Sequence, residues 1–492
     1  MSYIGVSQGS HQQYRRKEEI LGSFKWRSDM NQDFTAYLSK SLFMRGIQCP
    51  KSLYFHKYHP EWRDEISEGQ EALFQGGRAV GLLARELFPG GREIPYDGLS
   101  HSDQLQETQK APNNGIQTLY EATFSFDNIF VKNDLLHRGQ EGWGLYEVKM
   151  GTKLTEVYLD DVALQYYVVK GSGLPIEKAF VVYINNQYVR DGAIDPAQLF
   201  LVEEVTEKVV EKEEWVKDEI NKLRQMLSGK EPEVIIGNQC NDPYPCDFIG
   251  HCWEHVPENS VFDLRGRGTS SFDLYQQGYL NLKEVPGELL AERQKFQLNA
   301  FLNQEEVFNS DGVKEFLKTL RYSLHYLEKE KGKLGHHEFL GDPNSDFREE
   351  LLQRLCNQIP PTACILAYSA GFEKGRLQDL ADWFPKYKDK IEGFIQNVRD
   401  LAIPFRSRDV YHWEMKGSYS LKNVLPCLLP DLTYSKLEIQ DGGMTMNAFK
   451  TLSETHDLKE VIDLRQALLD YCRLDTLAMV KILEKLQKMC HE

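Results

Sequence analysis

The chain has 492 residues, 41% of them hydrophobic and 27% charged, a composition that excludes a disordered protein. No apolar run approaches the ~20 residues of a membrane helix, and the stretch MSYIGVSQGSHQQYRRKEEI has no apolar core like that of a signal peptide. A formal net charge of −16 excludes a surface coated in basic residues for non-specific nucleic-acid binding, though not a local basic groove.

In chain order, residues 1–33 are polar and mixed in charge, as expected of an N-terminal arm. A helix is predicted from Tyr37, capped by Ser39 or Ser41, with Leu42, Phe43, Ile47, Leu53 and Tyr54 on its apolar face. Pro50 should break or restart it just after Cys49. A second helix is predicted at Glu71–Leu87, ended by Pro89-Gly90-Gly91, and residues 100–115 read as a loop. Three strand-like runs follow: QTLYEATFSF, NIFVKNDLL and GWGLYEVKM. A helix over Asp160–Lys170 precedes the strand AFVVYINNQYV, and residues 203–228 read as one long charged helix. Residues 237–255 are rich in Cys and turn formers. Residues 257–310 read as a linker and helical connector. The segment 311–492 mixes predicted strands (YSLHYL, HHEFL, ACILAYS) with helices at 351–358, 373–384 and 459–489, so it too is α/β.

Chemistry concentrates in the hairpin that ends on Asp134 and on Glu147-Val148-Lys149. A hard divalent cation takes oxygen ligands, and it activates water against a phosphodiester. Asp134 and Glu147, at the ends of neighbouring strands, are candidate ligands for Mg²⁺ or Mn²⁺ and candidate catalytic residues. The Val148 carbonyl and Glu121, on the preceding strand, are further candidate ligands. Lys149 is two residues beyond Glu147, so strand alternation puts both on one face, where an ammonium stabilises developing charge. Gln165, on the following helix, is a candidate for orienting water or substrate. Arg45, Lys51, Tyr54 and Lys57 are candidates to guide a strand of nucleic acid. The pattern Asp-x12-Glu-x-Lys alone also fits an ordinary exposed hairpin.

The nine cysteines include Cys240, Cys246 and Cys252, each separated by five residues, in a segment of Pro, Asn and Asp unlike a core. In an intracellular protein they read as thiols or metal ligands rather than disulfides. With Cys49 they could hold tetrahedral zinc, and His251 or His255 could replace one of them. Cys356, Cys364, Cys427, Cys472 and Cys490 sit in apolar surroundings and read as buried thiols.

The phrases YLSKSLFMRGIQCPKSLYF, YEVKMGTK, YLDDVALQYYVVKGSGLP and KGSYSLKNVLPCLLPDL resemble a bacterial family with two nuclease-like domains. Its first is a RecB-like nuclease of the PD-(D/E)xK superfamily, most similar to the iron–sulfur subgroup that includes the CRISPR-associated RecB-like exonuclease. Its second is a DnaQ-type, RNase H-like domain. The resemblance implies an α/β PD-(D/E)xK domain over 34–256, with a mixed central sheet and flanking helices, and an RNase H-like α/β domain over 311–492. It implies a [4Fe–4S] cluster on Cys49, Cys240, Cys246 and Cys252, in preference to zinc. It implies a metal-dependent DNA exonuclease of repair, recombination or defence, acting on single strands or duplex ends in the cytoplasm, with no membrane partner. Two departures stand out: Asn133 replaces the Pro of the superfamily name, and Arg78 lies where many relatives carry a metal-binding His. In the second domain Glu373, Asp400, Tyr471 and Asp475 correspond to later catalytic motifs. The first motif, an Asp-x-Glu just before Ser323-Leu324-His325, is missing, which implies a degenerate domain kept for packing or substrate binding. Two other readings stand beside the exonuclease: a catalytically impaired nucleic-acid-binding or scaffold protein, and a zinc-stapled RNA-processing nuclease.

Overall fold

The computed structural model describes residues 37–190, 192–320 and 335–491. The predicted arm over 1–33, the predicted strand over 322–327 and the junction at Ser323 lie outside the described residues.

The chain enters through β1 (Leu38–Ser39), and the Ser39 hydroxyl accepts the Leu42 amide to cap α1 (Lys40–Gln48). Cys49 is extended, and Pro50 opens α2 (Pro50–Tyr58), as the sequence predicts. The next helix, α3 (Glu68–Ala84), tightens into a 3₁₀ turn over Arg85–Leu87. After β2 (Arg92–Glu93), the predicted loop is instead helix α4 (His101–Asn113), started by a capping box of Ser100 and Asp103. Its buried stripe is Gln104, Thr108 and Ala111. The spacing is helical, but the residues are polar or small, so hydrophobic periodicity gives no signal. The Thr108 hydroxyl accepts the Thr123 amide at 3.0 Å, which ties the helix to the sheet.

β3 (Thr118–Phe126) and β4 (Ile129–Arg138) are joined through Asp127 and Asn128, both left-handed at φ 48° and 52°, as a type I′ hairpin needs. β5 (Trp143–Lys149) completes the meander, and α5 (Glu156–Gly171) crosses over to β6 (Ile176–Ile184), parallel to β5. The predicted helix over 203–228 begins as β7 (Phe200–Glu204), then continues as α6 (Thr206–Glu211) and α7 (Glu213–Ser228). The result is a seven-stranded mixed sheet in the order β2-β3-β4-β5-β6-β7, with β1 added parallel to the start of β4.

One face of the sheet packs Leu119, Ala122, Val131, Leu136 and Leu145 against Val162, Ala163 and Val169 of α5, with Phe43 of α1 and Ile220 and Leu223 of α7 in the same core. The other face packs Tyr120, Leu135 and Val182 against Ala84 of α3. Alternation slips at one place. Leu119 and Ala122 share a face though three residues apart, as do Val131 and Leu136, five apart. Between them the β3–β4 pairing steps from Tyr120–Leu135 to Ala122–Asn133, and Glu121 has φ 55°. The irregular position is the one that carries Asp134.

Residues 261–298, within the predicted linker and connector, gather a cluster of their own around Val261, Leu264, Leu274, Leu282 and Leu298. The last of these lies on α8 (Glu292–Asn303). Beyond it come β8 (Glu306–Phe308), α9 (Ser310–Thr319), α10 (Arg348–Gln358), β9 (Ile365–Ala367), α11 (Gly371–Trp383) and α12 (Lys388–Asn397). Then follow β10 (Val398–Asp400), β11 (Val410–His412), α13 (Leu421–Leu428), α14 (Gly442–Glu454) and α15 (Leu458–Met489). Strands here pair only two by two among the described residues: β9 parallel to β10, and β8 antiparallel to β11. The run HHEFL, predicted as a strand, has no regular structure. No helix among the described residues is long and apolar enough to cross a membrane.

Phe43 is fully buried, with its ring 6.1 Å from Trp215 in an edge-to-face contact between α1 and α7. Phe43→Ala should cost about 3–5 kcal/mol, read as a lower midpoint in the first thermal unfolding transition. An unchanged midpoint would contradict this packing of α1.

Candidate functional site

The centre forms where β4, β5, α5 and α1 meet. The β4–β5 register pairs Leu135 with Tyr146, which makes Asp134 and Glu147 the next cross-strand neighbours. One Asp134 carboxylate oxygen accepts the Val148 amide at 2.8 Å. Glu147 and Lys149 point to the α5 face, and the Lys149 ammonium donates to Glu147 Oε1 at 2.8 Å and to Asp161 at 2.5 Å. Lys40, in the first turn of α1, donates to the same Glu147 oxygen at 2.8 Å and lies 3.6 Å from Asp161. Gln165 donates to Glu147 Oε2 at 2.8 Å and to Asp161 at 2.9 Å, and its carbonyl accepts from Asn133 at 2.5 Å. Glu147 is 2% exposed and Gln165 fully buried.

Three carboxylates therefore face two ammonium groups in a desolvated space. Burial, then the charges of Asp134 and Asp161, push Glu147 up to about 7. Burial also raises Asp134, against the pull of Lys40 and Lys149. Asp161 is buried too, yet Lys149 and Lys40 hold its carboxyl well below the usual range. Both lysines remain firmly protonated: burial opposes their charge, and Asp161 and Glu147 more than offset it. The donor set that faces a cation is all oxygen, which suits a hard divalent ion. Asn133 adds a buried carbonyl oxygen with no hydrogen-bond partner.

The sequence-predicted residues Asp134, Glu147, Lys149 and Gln165 are thus brought together. Gln165 is sealed behind the carboxylates, so it orients Glu147 and Asp161 rather than a solvent molecule. Glu121 lies at the rim, 3.6 Å from the Arg85 guanidinium, with its charge felt at Asp134. Sequence reasoning missed Lys40, Asp161 and Asn133. Only Asp161 left a signal, four residues before Gln165 on one helical face. Of the proposed strand guides, Arg45 is paired with Asp247 and Lys51 with Glu231 at 2.9 Å, while Tyr54 packs on Tyr58.

The four cysteines converge at the far end of α1. Cys49 follows its last turn, and Gln48 donates to the carbonyl of Gln239 at 2.8 Å and to that of Tyr244 at 2.6 Å. The Cys246 amide donates to the Cys240 carbonyl at 2.8 Å, and its thiol donates to Ser52 at 3.4 Å. Cys252 is pushed up to about 11, first by burial and further by the thiols of Cys246, Cys240 and Cys49. No three of the four sulfurs lie within 4.8 Å of one another, whereas tetrahedral zinc at ~2.3 Å would draw them to about 3.8 Å. His251 stacks on Trp62 and His255 meets the Tyr275 hydroxyl at 2.9 Å. Tyr244, in the same segment, is near enough to feel Lys149, Asp161 and Glu147.

Two of the C-terminal acids, Asp400 and Asp475, have partners of their own. Asp400 accepts the amides of Ser369 and Ala402 and a guanidinium N–H of Arg406 at 3.1 Å. Asp475 accepts the Tyr434 hydroxyl at 2.5 Å, and Tyr471 packs its ring against Tyr434. Glu373 has a buried oxygen without a partner. A different group does assemble: donor atoms of His412, Glu414 and Cys427 lie within 4.8 Å of one another and could hold a metal ion. Glu306, opposite His412 across β8–β11, is 3.3 Å from its Nε2. Cys427, read from sequence as a core thiol, is pushed up to about 11 by burial and by Glu414 and Glu306. The trio spans only sixteen residues, and the packing of α13 on the turn Trp413–Met415 brings it together.

Residues 309–420 match a family described as a domain of unknown function (DUF2779), less than a quarter of the chain. No curated protein matches. Among solved structures, a crystal structure of SSO0001 is similar at 13% identity over 44% of this chain and 87% of that chain, with a TM-score of 0.21. A likeness that weak says nothing about the arrangement of these sites.

Lys40 competes with any cation for Glu147 and Asp161. Lys40→Ala should bind Mn²⁺ roughly tenfold more tightly, because the carboxylates lose a competing charge at contact distance. It should also be less heat-stable in EDTA, with buried carboxylates left short of a partner. Calorimetric titration and thermal melts check both, and equal or weaker Mn²⁺ binding would sink the idea.

Proposed function

We propose that this chain is a divalent-metal-dependent phosphodiester hydrolase acting on DNA, of the RecB-like PD-(D/E)xK type. The observation that carries it is the convergence of Asp134, Glu147 and Lys149 on one buried, acidic centre. Asp134 and Glu147, with the Val148 carbonyl, hold Mg²⁺ or Mn²⁺. The metal supplies Lewis-acid polarisation of the phosphate and a more acidic water. Lys149 offers its ammonium to the charge that builds on phosphate. Gln165, Asn133 and Asp161 keep Glu147 and Lys149 in place. The four cysteines hold a [4Fe–4S] cluster, which needs four thiolates.

A second reading, a nucleic-acid-binding or scaffold protein without hydrolysis, draws on two observations. Lys40 and Lys149 both occupy Glu147 Oε1, and the C-terminal acids are bonded elsewhere. One comparison separates the two readings. With Mn²⁺ the wild type should degrade labelled DNA, and Glu147→Gln should lose at least roughly 100-fold in rate. Equal behaviour of the two proteins favours the scaffold.

Elemental analysis of anaerobically purified protein should find iron, absent from Cys246→Ala. Zinc without iron would favour the zinc-stapled RNA-processing alternative.

A further inference from the structure

One crevice stands out against the acidic chain. A cavity of about 530 Å³ between the 261–298 cluster and the C-terminal part is lined by Arg265, Arg267, Arg293, Arg406 and Arg408, with Tyr419 at its edge. These arginines come from three separate stretches of a protein of net charge −16. Among the described residues only Arg406 has a carboxylate partner, Asp400. Assembling five guanidinium groups with one internal counter-charge is unfavourable unless an anion completes the site.

The walls are built to hold these groups. Arg408 lies 4.4 Å over the Phe296 ring and donates to the Arg293 carbonyl at 2.8 Å. Its backbone is left-handed at φ 68°, a strained conformation for a non-glycine residue. Gly417, at φ 69°, lets the 417–419 loop press on the 265–267 loop. A Cβ there would stand 2.3 Å from Gln297 Oε1 and 3.1 Å from the Arg265 Cβ. Arg265, Arg267 and Arg293 line the crevice from exposed positions.

We propose that this crevice binds the phosphodiester backbone of a single nucleic-acid strand. Guanidinium forks match phosphate oxygens two at a time. Exposed Tyr419 offers a face on which a base can stack, the usual companion of a basic groove in single-strand binding. Arg406 takes up Asp400, so the acid that a metal-dependent exonuclease would use becomes part of an anion site. The inference rests on the nucleic-acid reading above only for the identity of the anion.

The test measures anisotropy of a fluorescein-labelled oligodeoxythymidine with the full chain in EDTA, across a chloride series. Arg265→Ala/Arg267→Ala, at two exposed positions, should weaken binding about tenfold, and the slope of log K against log salt should fall by about 1.4, or ~0.7 per lost phosphate contact. The Arg265→Lys/Arg267→Lys variant should keep most of that slope. Binding is read in EDTA, without cleavage, so a failed nuclease assay leaves this result standing. Wild-type affinity and slope in the double alanine variant would overturn the proposal. Displacement of the oligonucleotide by pyrophosphate beyond its ionic-strength effect would overturn it in favour of a small phosphate ligand. Equal displacement by polyglutamate would do so in favour of an acidic protein.

Discussion

The interaction on which the N-terminal half depends is the balance of charge around Glu147. Three carboxylates cannot share a dry space unless cations neutralise them. Here Lys149 comes from the same strand and Lys40 from a helix 107 residues earlier. The two ammonium groups leave one net negative charge. That is low enough to fold around and high enough to attract a divalent ion. The same balance explains two buried polar residues: Gln165 donates to Glu147 and Asp161, and Asn133 donates to the Gln165 carbonyl.

Helix α1 transmits this constraint. Its first turn places Lys40 on the carboxylates, and its end delivers Cys49 to the three later cysteines. Arg45, between them, is clamped to Asp247, which also pairs with the Arg63 guanidinium at 3.0 Å. Nine residues thus connect the acidic centre with the thiols. Tyr244, from the cysteine-rich segment, returns toward Lys149.

The C-terminal part follows a different logic. Its acids are consumed by neighbours: Asp400 by amides and Arg406, Asp475 by Tyr434. Uncompensated charge instead appears as arginines at the junction with the 261–298 cluster. A surface whose acids are bonded elsewhere and whose guanidinium groups are exposed is suited to holding an anion.

The local pattern determined the β4–β5 hairpin, a serine cap at Ser39 or Ser41 and the break at Pro50. Strand alternation alone put Glu147 and Lys149 on one face. These are short-range consequences of backbone sterics and side-chain period, so they are legible in order along the chain. Helix α4 was not legible, because its buried stripe is Gln104, Thr108 and Ala111 and its caps are polar. The strand β7 was hidden inside a charged run that continues as helix. Tertiary structure alone decided that Lys40 and Asp161 complete the centre, that Asp134 sits where alternation slips, and that His412 meets Cys427. It also decided that arginines from three stretches share one crevice. Charges separated by a hundred residues have no periodicity to reveal them; only packing brings them into one low-dielectric space, where their interaction becomes large.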